Sequence, residues 1–155
     1  MSDMLVKLYD IPEIPLLQDG ISIKRACPTD ASKIIQFARD EFCEHWANEC
    51  AYALYNSPIS CFIAVKDKKI VGFACYDATA KGFFGPIGLL RTERGNKTGS
   101  GLLLSCLHAM RNDGYAYAVV GWVGDANPFY EKAANAVMIP DSPPTKSIYF
   151  NMIEV

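Results

Sequence analysis

Two segments in the first half of the chain carry apolar residues at helical spacing. The first begins after Pro28 and Asp30, since proline and aspartate favour the start of a helix. Its apolar positions are Ala31, Ile34, Ile35, Ala38 and Phe42. The second runs from about residue 44 to residue 55 and ends before Pro58, because proline disfavours a helix in the residue that precedes it.

A short strand and an irregular arm are predicted ahead of these helices. Residues 21–25 alternate between apolar and polar side chains, which is typical of a half-buried strand. Residues 1–20 contain two prolines and no clear periodicity, so we predict an irregular N-terminal arm.

The pattern changes to strands after residue 60. Residues 61–65 and 70–76 flank a lysine-rich turn and predict a hairpin of mostly buried strands. A further strand covers roughly residues 83–90 and is interrupted by Gly85-Pro86. Because proline cannot donate a hydrogen bond to a neighbouring strand, we expect a β-bulge there.

The second half of the chain continues with a helix that ends near Gly114, a residue type that often closes helices. A strand at about residues 115–123 follows. Asn127 is the predicted cap of the next helix, with Pro128 as its first residue. Two further strands are predicted near residues 137–139 and over residues 147–152.

The element order β-α-α-β-β-β-α-β-α-β-β predicts a mixed α/β domain with a central sheet and helices on both faces. A Rossmann dinucleotide-binding domain is excluded, because three successive strands precede the glycine-bearing loop and the first β-α turn has no glycine. The Gly-x-x-x-x-Gly-Lys-Ser/Thr motif of P-loop nucleotide hydrolases is absent.

Length and charge restrict the number of domains, the possible partners and the location of the protein. With 155 residues and 50% hydrophobic residues, the chain is expected to form a single domain over residues 1–155. A net charge of −2 gives no reason to expect nucleic acid or an anionic membrane as a partner. No apolar run approaches the roughly 20 residues of a membrane span, and no export signal is visible at the N-terminus, so we expect a cytoplasmic protein.

The six cysteines lack the spacing of a metal site or a disulfide framework. Four lie in apolar segments, as expected of small buried hydrophobic residues in a reducing compartment. The one grouping with metal-ligating residues, Cys43, His45 and Cys50, does not match zinc-site spacing, and we predict no metal.

The stretch from Gly88 to Met110 contains the candidate chemistry, because a strand leads through a basic turn into an amphipathic helix. The unpaired N–H groups and the positive dipole end of a helix start favour an anion such as phosphate. The turn supplies two cations, two glycines and two hydroxyls, namely Arg94, Lys97, Gly95, Gly99, Thr98 and Ser100.

This turn resembles the diphosphate loop of the GNAT superfamily of acyl-CoA-dependent N-acetyltransferases, which reads Arg/Gln-x-x-Gly-x-Gly/Ala between a strand and a helix. Arg94 and Gly99 match the first and last positions, whereas Lys97 replaces the usual middle glycine. A second register, with Asn96, Gly99 and Gly101, also satisfies the glycine spacing. We prefer the register that starts at Arg94, because the leucines that follow fit it better.

The resemblance extends over residues 21–153, including CFIAVKDKKIVGFACYD before the loop and FYEK beyond it, and it implies a site. The strand before the loop would part from its neighbour, so that pantetheine bonds to the freed backbone. Tyr130 would protonate the departing thiolate. The implied cofactor-binding residues are Ile87, Gly88, Leu89, Arg94, Gly95, Asn96, Lys97, Thr98, Gly99, Ser100 and Asn127.

The expected reaction is transfer of the acetyl group of acetyl-CoA to the amine of a small molecule or peptide by direct attack on the thioester. Such a transfer needs a positioned thioester, a neutral amine and an acid near the sulfur. Asp77, Glu44 and Glu49 are the carboxylates considered as the base, and a water-relayed proton path stays open.

Two alternative functions stay open. One is a non-catalytic acyl-CoA-binding or sensing module, and the other is a transferase that uses another acyl-CoA. The residues identify neither the acceptor nor whether the protein is a monomer or a homodimer.

Overall fold

A seven-stranded mixed sheet forms the centre of the protein in a computed structural model that describes residues 2–155. The strands are β1 Met4–Lys7, β2 Ile21–Arg25, β3 Cys61–Lys66, β4 Lys69–Tyr76, β5 Phe83–Leu89, β6 Tyr117–Val120 and β7 Val137–Met138. Their order in the sheet is β2-β3-β4-β5-β6-β1-β7. Neighbouring strands are antiparallel except β5 and β6, which are parallel.

Helices cover both faces of this sheet. They are α1 Ala31–Glu41, α2 Glu44–Tyr55, α3 Thr98–Asn112 and α4 Asn127–Ala134. Helices α1 and α2 pack on one face around buried residues such as Ile34 and Phe73, whereas α3 and α4 bury residues such as Leu103 and Ala134 on the other. The predicted mixed α/β class is therefore confirmed. No helix within residues 2–155 has both the length and the apolar character needed to cross a membrane.

The hairpin and the bulge are confirmed. Asp67 and Lys68 connect β3 to β4 with φ angles of 51° and 62°, the left-handed conformation that two-residue hairpin turns require. Between β4 and β5 the register passes from Ala74↔Ile87 to Tyr76↔Phe84. Three steps on β5 thus face two on β4, which places the extra residue of a bulge at Gly85-Pro86.

The predicted irregular arm over residues 1–20 contains the strand β1, so the prediction is wrong for Met4–Lys7. This strand lies between β6 and β7, with Met4 opposite both Val120 and Met138, and Met4 and Val6 are fully buried. The strand is only four residues long, and its partners lie more than 100 positions away. Its local sequence therefore carries little indication of a strand.

The C-terminal strand predicted over residues 147–152 is also wrong. Ile148–Asn151 forms a 3-10 helix instead. Just before it, the hydroxyl of Ser147 donates to the carboxylate of the buried Asp3 and holds the segment against the domain. The element order therefore differs from the predicted one at both ends of the chain.

The cap predicted at Asn127 is also incorrect. A 3-10 helix, Gly124–Ala126, runs directly into α4, so Asn127 already has helical φ and ψ angles of −54° and −39°. The cap position falls on Ala126, whose methyl side chain forms no capping hydrogen bond.

Candidate active site

Strands β5 and β6 separate partway along their length. They are paired at Phe83↔Val119 and Phe84↔Val120, after which β5 continues to Leu89 while β6 ends. The backbone of Trp122 has left the strand conformation, with a φ of 49°, and its N–H donates to Asp3. A gap therefore opens beyond Phe84 and Val120, as the family resemblance implies.

Backbone groups of β5 face this gap. The N–H of Leu90 donates to the carbonyl of Val71 at 2.9 Å, and hydrogen-bonded pairs alternate along an antiparallel ladder. Gly88 is consequently bonded to Phe73, whereas the N–H and C=O groups of Ile87 and Leu89 point away from β4. These groups can pair with an extended ligand lying in the gap.

The basic turn leads from β5 to the start of α3. Gly95 and Lys97 adopt φ angles of 84° and 67°, and the side chains of Arg94 and Lys97 are exposed. The carboxylate of Glu93, which is buried, is bound by Lys66 at 3.2 Å. This ion pair attaches the turn to β3 and leaves the other cations free to meet an anion at the helix start.

Two residues of the predicted ligand-binding set are hydrogen-bonded to each other at the start of α3. Asn96 accepts hydrogen bonds from the N–H and the hydroxyl of Thr98, at 3.3 and 2.7 Å. Thr98 is fully buried, so its hydroxyl is not presented to a ligand, in contrast to the prediction. The backbone of this turn and the partly exposed Ser100 are still available to bind a ligand.

The glycines of the two motif registers lie in different surroundings. A Cβ built on Gly101 would lie 2.7 Å from Ile23, so this glycine serves packing between α3 and β2. Gly99 lies in the first turn of α3, where a Cβ would meet Leu89 and Phe129 only at ordinary contact distance. The packing role of Gly101 accounts for this glycine without a ligand, so the register that starts at Arg94 and ends at Gly99 is kept as the prediction.

Tyr130 lies on α4 beside the point where the strands part. Its ring packs edge-on against Phe84, the last residue of β5 paired with β6, at a centroid distance of 6.2 Å. Phe129 packs against it at 5.1 Å. Burial raises the pKa of Tyr130, so its phenol stays protonated at neutral pH and can donate a proton or a hydrogen bond.

A second tyrosine reaches the same region from the C-terminal segment. Tyr149 packs edge-on against Trp122 at 5.1 Å. Its hydroxyl lies directly against Gly121, where a larger residue would collide with the Tyr149 ring. Burial raises the pKa of Tyr149, and the Glu49 carboxylate and Tyr130 raise it further. Sequence reasoning missed Tyr149, because only the tertiary fold brings residue 149 beside β6.

Of the three candidate bases, Glu49 has the most suitable surroundings. It is partly buried on α2 and accepts a hydrogen bond from the hydroxyl of Thr79. Burial is the main reason why the pKa of Glu49 is raised above its ordinary value. A raised pKa makes a carboxylate a better base near neutral pH.

The other two candidates are engaged in structural contacts. Asp77 accepts hydrogen bonds from the hydroxyl of Tyr115 at 2.9 Å and from the N–H of Gly82 at 2.8 Å. Glu44 is exposed and forms an ion pair with Arg39 at 2.7 Å. Both carboxylates already have such partners, whereas burial raises the pKa of Glu49, so Glu49 is the preferred candidate.

The cysteines that lie together in the structure are not those that lie close together in the sequence. Cys43 is exposed and Cys50 is buried, so the grouping of Cys43, His45 and Cys50 is not brought together. Cys50 instead meets Cys61 and Cys75 in the core. Linear spacing could not show this cluster, because its members lie on three different elements.

A sequence model of the acetyltransferase (GNAT) family matches residues 30–135, more than half of the 155 residues. The match begins just before α1, ends just after α4 and includes the gap, the basic turn and Tyr130. The chain belongs to the GNAT acetyltransferase family, whose members carry out acyl transfer from acyl-CoA.

Solved structures show the same fold. A GCN5-related N-acetyltransferase from Sphaerobacter thermophilus matches with a TM-score of 0.70 and 20% identity, over 89% of this chain and 48% of that one. A glucosamine N-acetyltransferase region of a fungal multi-domain GH3 beta-N-acetylglucosaminidase matches with a TM-score of 0.71 and 15% identity, over 89% of this chain and 19% of that one. This chain thus spans half or less of each of these two proteins.

A GNAT family acetyltransferase from Brucella melitensis, in complex with acetyl-CoA, has a TM-score of 0.51 and 20% identity, over 82% of this chain and 93% of that one. At these identities the likeness shows the GNAT fold. Comparison with curated proteins gives no match for this chain.

Proposed function

We propose that this protein transfers the acetyl group of acetyl-CoA to a primary amine of a small molecule or peptide. The observation that carries the proposal is the gap between β5 and β6, which has the basic start of α3 at one end and Tyr130 at the other. Acetyl-CoA as donor is supported by the family membership and by the Brucella melitensis relative, which holds acetyl-CoA.

The donor would lie along β5. Its diphosphate would meet the positive end of α3 together with Arg94 and Lys97, where charge-assisted hydrogen bonds are strong. Its pantetheine arm would pair with the outward-facing backbone groups of Ile87 and Leu89 in the manner of an added strand. Binding at both ends would hold the thioester near Phe84 and Tyr130.

Tyr130 would protonate the leaving thiolate. Negative charge develops on the sulfur only as the thioester bond breaks, so a donor at this position acts mainly on the transition state. The raised pKa of Tyr130 keeps the proton on the oxygen until then.

Glu49 would accept the proton of the attacking amine, directly or through water. Alkyl amines are mostly protonated at neutral pH, so a base is required before attack. A partly buried carboxylate also attracts a cationic amine towards the site. The proposed acceptor is therefore an amine that carries no carboxylate next to the reacting nitrogen.

The test measures release of the CoA thiol from acetyl-CoA with a panel of primary amines, together with CoA affinity. We expect thiol release with at least one amine. Arg94→Ala should weaken CoA binding about tenfold or more, because a hydrogen bond to a charged group contributes about 1.5–3 kcal/mol. A pantetheine analogue without the diphosphate should bind the variant and the parent equally.

Arg91→Ala is the matched control, since Arg91 is exposed on the same connection but lies three residues before the motif. Equal weakening by both substitutions, or for both ligands, contradicts the proposed placement of the diphosphate.

The replacement of the middle motif glycine by Lys97 favours a second candidate, a non-catalytic acyl-CoA-binding module. Binding of acetyl-CoA without thiol release across the amine panel would support that module. Competition by acetyl-CoA without its consumption would instead indicate a transferase that uses another acyl-CoA.

We also propose that the protein works in a reducing compartment such as the cytoplasm. All six cysteines are free, and Cys50 and Cys75 lie with their sulfurs 3.6 Å apart without a bond between them. Two close thiols are retained more readily where thiols are kept reduced.

A further inference from the structure

Three thiols meet in the core on the α1–α2 face of the sheet. Cys50 comes from α2, Cys61 from β3 and Cys75 from β4, and all three are fully buried. Their sulfur atoms lie within 4.8 Å of one another, and those of Cys50 and Cys75 are 3.6 Å apart. Cys61 and Cys75 are direct partners across the β3–β4 pair. Two neighbouring strands and a helix thus aim their thiols at one point.

This spacing is close to that of sulfurs bound to a common atom. Thiophilic ions bind sulfur at about 2.3 Å. Three such bonds place the sulfurs about 3.3 to 4.0 Å apart, from a pyramidal to a planar arrangement, as follows from that bond length. The widest pair would therefore approach by about an ångström, a movement that side-chain rotation can supply.

The surroundings restrict the charge that the cluster can hold. The other buried members of this core are apolar, namely Ala26, Ile34, Ala38, Ala47, Ala53, Leu54, Ile63 and Phe73. Two titratable groups interact with the cluster, namely the carboxylate of Glu49, which directly precedes Cys50, and the thiol of Cys106. Either group, when ionised, would oppose any added negative charge. A bound species should therefore leave the cluster electrically neutral, because a net charge in such a core is costly.

We propose that Cys50, Cys61 and Cys75 form a binding site for trivalent arsenic, which enters as uncharged arsenous acid. The three thiols replace its three hydroxyl groups, so that As(OH)3 and three Cys–SH give As(S–Cys)3 and three water molecules. Three As–S bonds form, three As–O and three S–H bonds break, and no atom changes its oxidation state. The product is neutral and needs no fourth ligand.

Zinc fits the same cluster less well. Three thiolates and Zn²⁺ leave a net charge of −1, and structural zinc sites use four ligands. No fourth His, Cys, Asp or Glu joins the cluster in the part of the chain that the structure describes. Zinc binding also releases protons from the thiols, whereas the reaction with arsenous acid releases water and no protons.

The test uses the full chain with the exposed thiols removed by Cys27→Ser and Cys43→Ser. After incubation with arsenous acid and desalting, native mass spectrometry should show one arsenic per chain, and the melting temperature should rise because the ligand binds the folded state. Adding Cys50→Ala should lower the affinity at least tenfold, and alanine is well tolerated in a helix. Adding Cys106→Ala, which removes a buried thiol outside the cluster, should leave the affinity unchanged.

A measurement without core variants covers the case in which Cys50→Ala fails to fold. Arsenous acid should protect three thiols of the parent from alkylation in mild denaturant, and peptide mapping should identify them as Cys50, Cys61 and Cys75. Failure to retain arsenic, retention that Cys50→Ala does not weaken, or preference for zinc with proton release would overturn the proposal.

Discussion

At the scale of single residues, Tyr130 is the side chain on which the proposed chemistry depends most. Tyr130→Phe should lower kcat by about 10²- to 10⁴-fold, the usual contribution of a positioned proton donor. The ring contacts with Phe84 and Phe129 are retained, so the Kd for CoA and the melting temperature should hardly change. Tyr55→Phe is the matched control, since Tyr55 is 81% exposed. Near-normal turnover of Tyr130→Phe would assign this tyrosine to packing.

The pH profile reports on Glu49. Because burial raises the pKa of Glu49, activity should fall as pH decreases through that raised value, and Glu49→Gln should lower kcat and remove this acidic limb. A carboxyl group with a raised pKa favours folding at low pH and loses that contribution as pH rises through the folded-state pKa. Glu49→Gln should therefore not lower the melting temperature at pH 8.

Glu44→Gln is the control for this profile, because Glu44 lies on the same helix but is exposed and paired with Arg39. An unchanged acidic limb in Glu49→Gln would exclude Glu49 as the base. His45 and Tyr149 both interact electrostatically with Glu49. Variants of these two residues would then be measured next.

Lys97 combines a structural cost with a proposed electrostatic gain. Its φ of 67° is unfavourable by about 1–2 kcal/mol for a residue with a Cβ. Lys97→Gly should raise the melting temperature by about 2–4 °C, the shift expected for about 1 kcal/mol, whereas Lys97→Ala should not. Both variants should weaken CoA binding to a similar extent, because both lose the ammonium group. Tighter binding of CoA by Lys97→Gly would mean that the Cβ obstructs the diphosphate.

At the scale of elements, Asp3 connects both ends of the chain to β6. Its carboxylate accepts from the N–H of Trp122 at 3.0 Å and from the hydroxyl of Ser147, and its own N–H donates to Ser142 at 2.9 Å. These bonds bring the C-terminal segment, and with it Tyr149, to the end of β6.

Asp3→Asn should lower the free energy of unfolding by about 1–3 kcal/mol, because an amide cannot accept at both oxygen positions and a buried donor loses its partner. Urea unfolding measures this. Asp141→Asn, which removes an exposed ion pair with Lys146 in the same C-terminal region, should change stability by less than about 0.5 kcal/mol. Equal effects of the two substitutions would mean that Asp3 does not anchor the segment.

At the scale of the whole molecule, an overall charge of −2 contrasts with the local cations at the start of α3. Acetyl-CoA at 100 times its Kd should stabilise the protein by about 2.7 kcal/mol, which corresponds to an increase of about 5–10 °C in melting temperature. Raising the salt concentration should reduce this shift, since exposed charges are screened. A shift insensitive to salt would show that the cations contribute little to binding.

Local sequence patterns were sufficient to predict the helices, turns and strands in the middle of the chain. Apolar periodicity predicted α2 at residues 44–55, and the turn at Asp67 and Lys68 predicted the β3–β4 hairpin. Gly85-Pro86 predicted the bulge. Each of these features depends on contacts between residues close in sequence, or on a residue type with restricted backbone angles. Sequence reasoning therefore reached them without knowledge of the fold.

The chain termini and the full candidate site depended on distant contacts. Strand β1 exists because β6 and β7 provide partners, and the segment that contains residues 148–151 is attached to the domain through the bond between Ser147 and Asp3. Glu49, Tyr130 and Tyr149 come together from α2, α4 and the C-terminal segment. No local pattern relates these three positions.

Local properties were thus enough to predict the fold class, the resemblance to the family and the candidate diphosphate-binding turn that starts at Arg94, because helix starts, glycine turns and apolar periodicity depend on residues close in sequence. The folded structure was needed to show that Glu49 is partly buried on α2, that Asn96 and Thr98 are hydrogen-bonded to each other, and that three thiols meet in the core. Burial, close approach and shared hydrogen bonds are relations between distant segments, and they exist only once the sheet has brought those segments together.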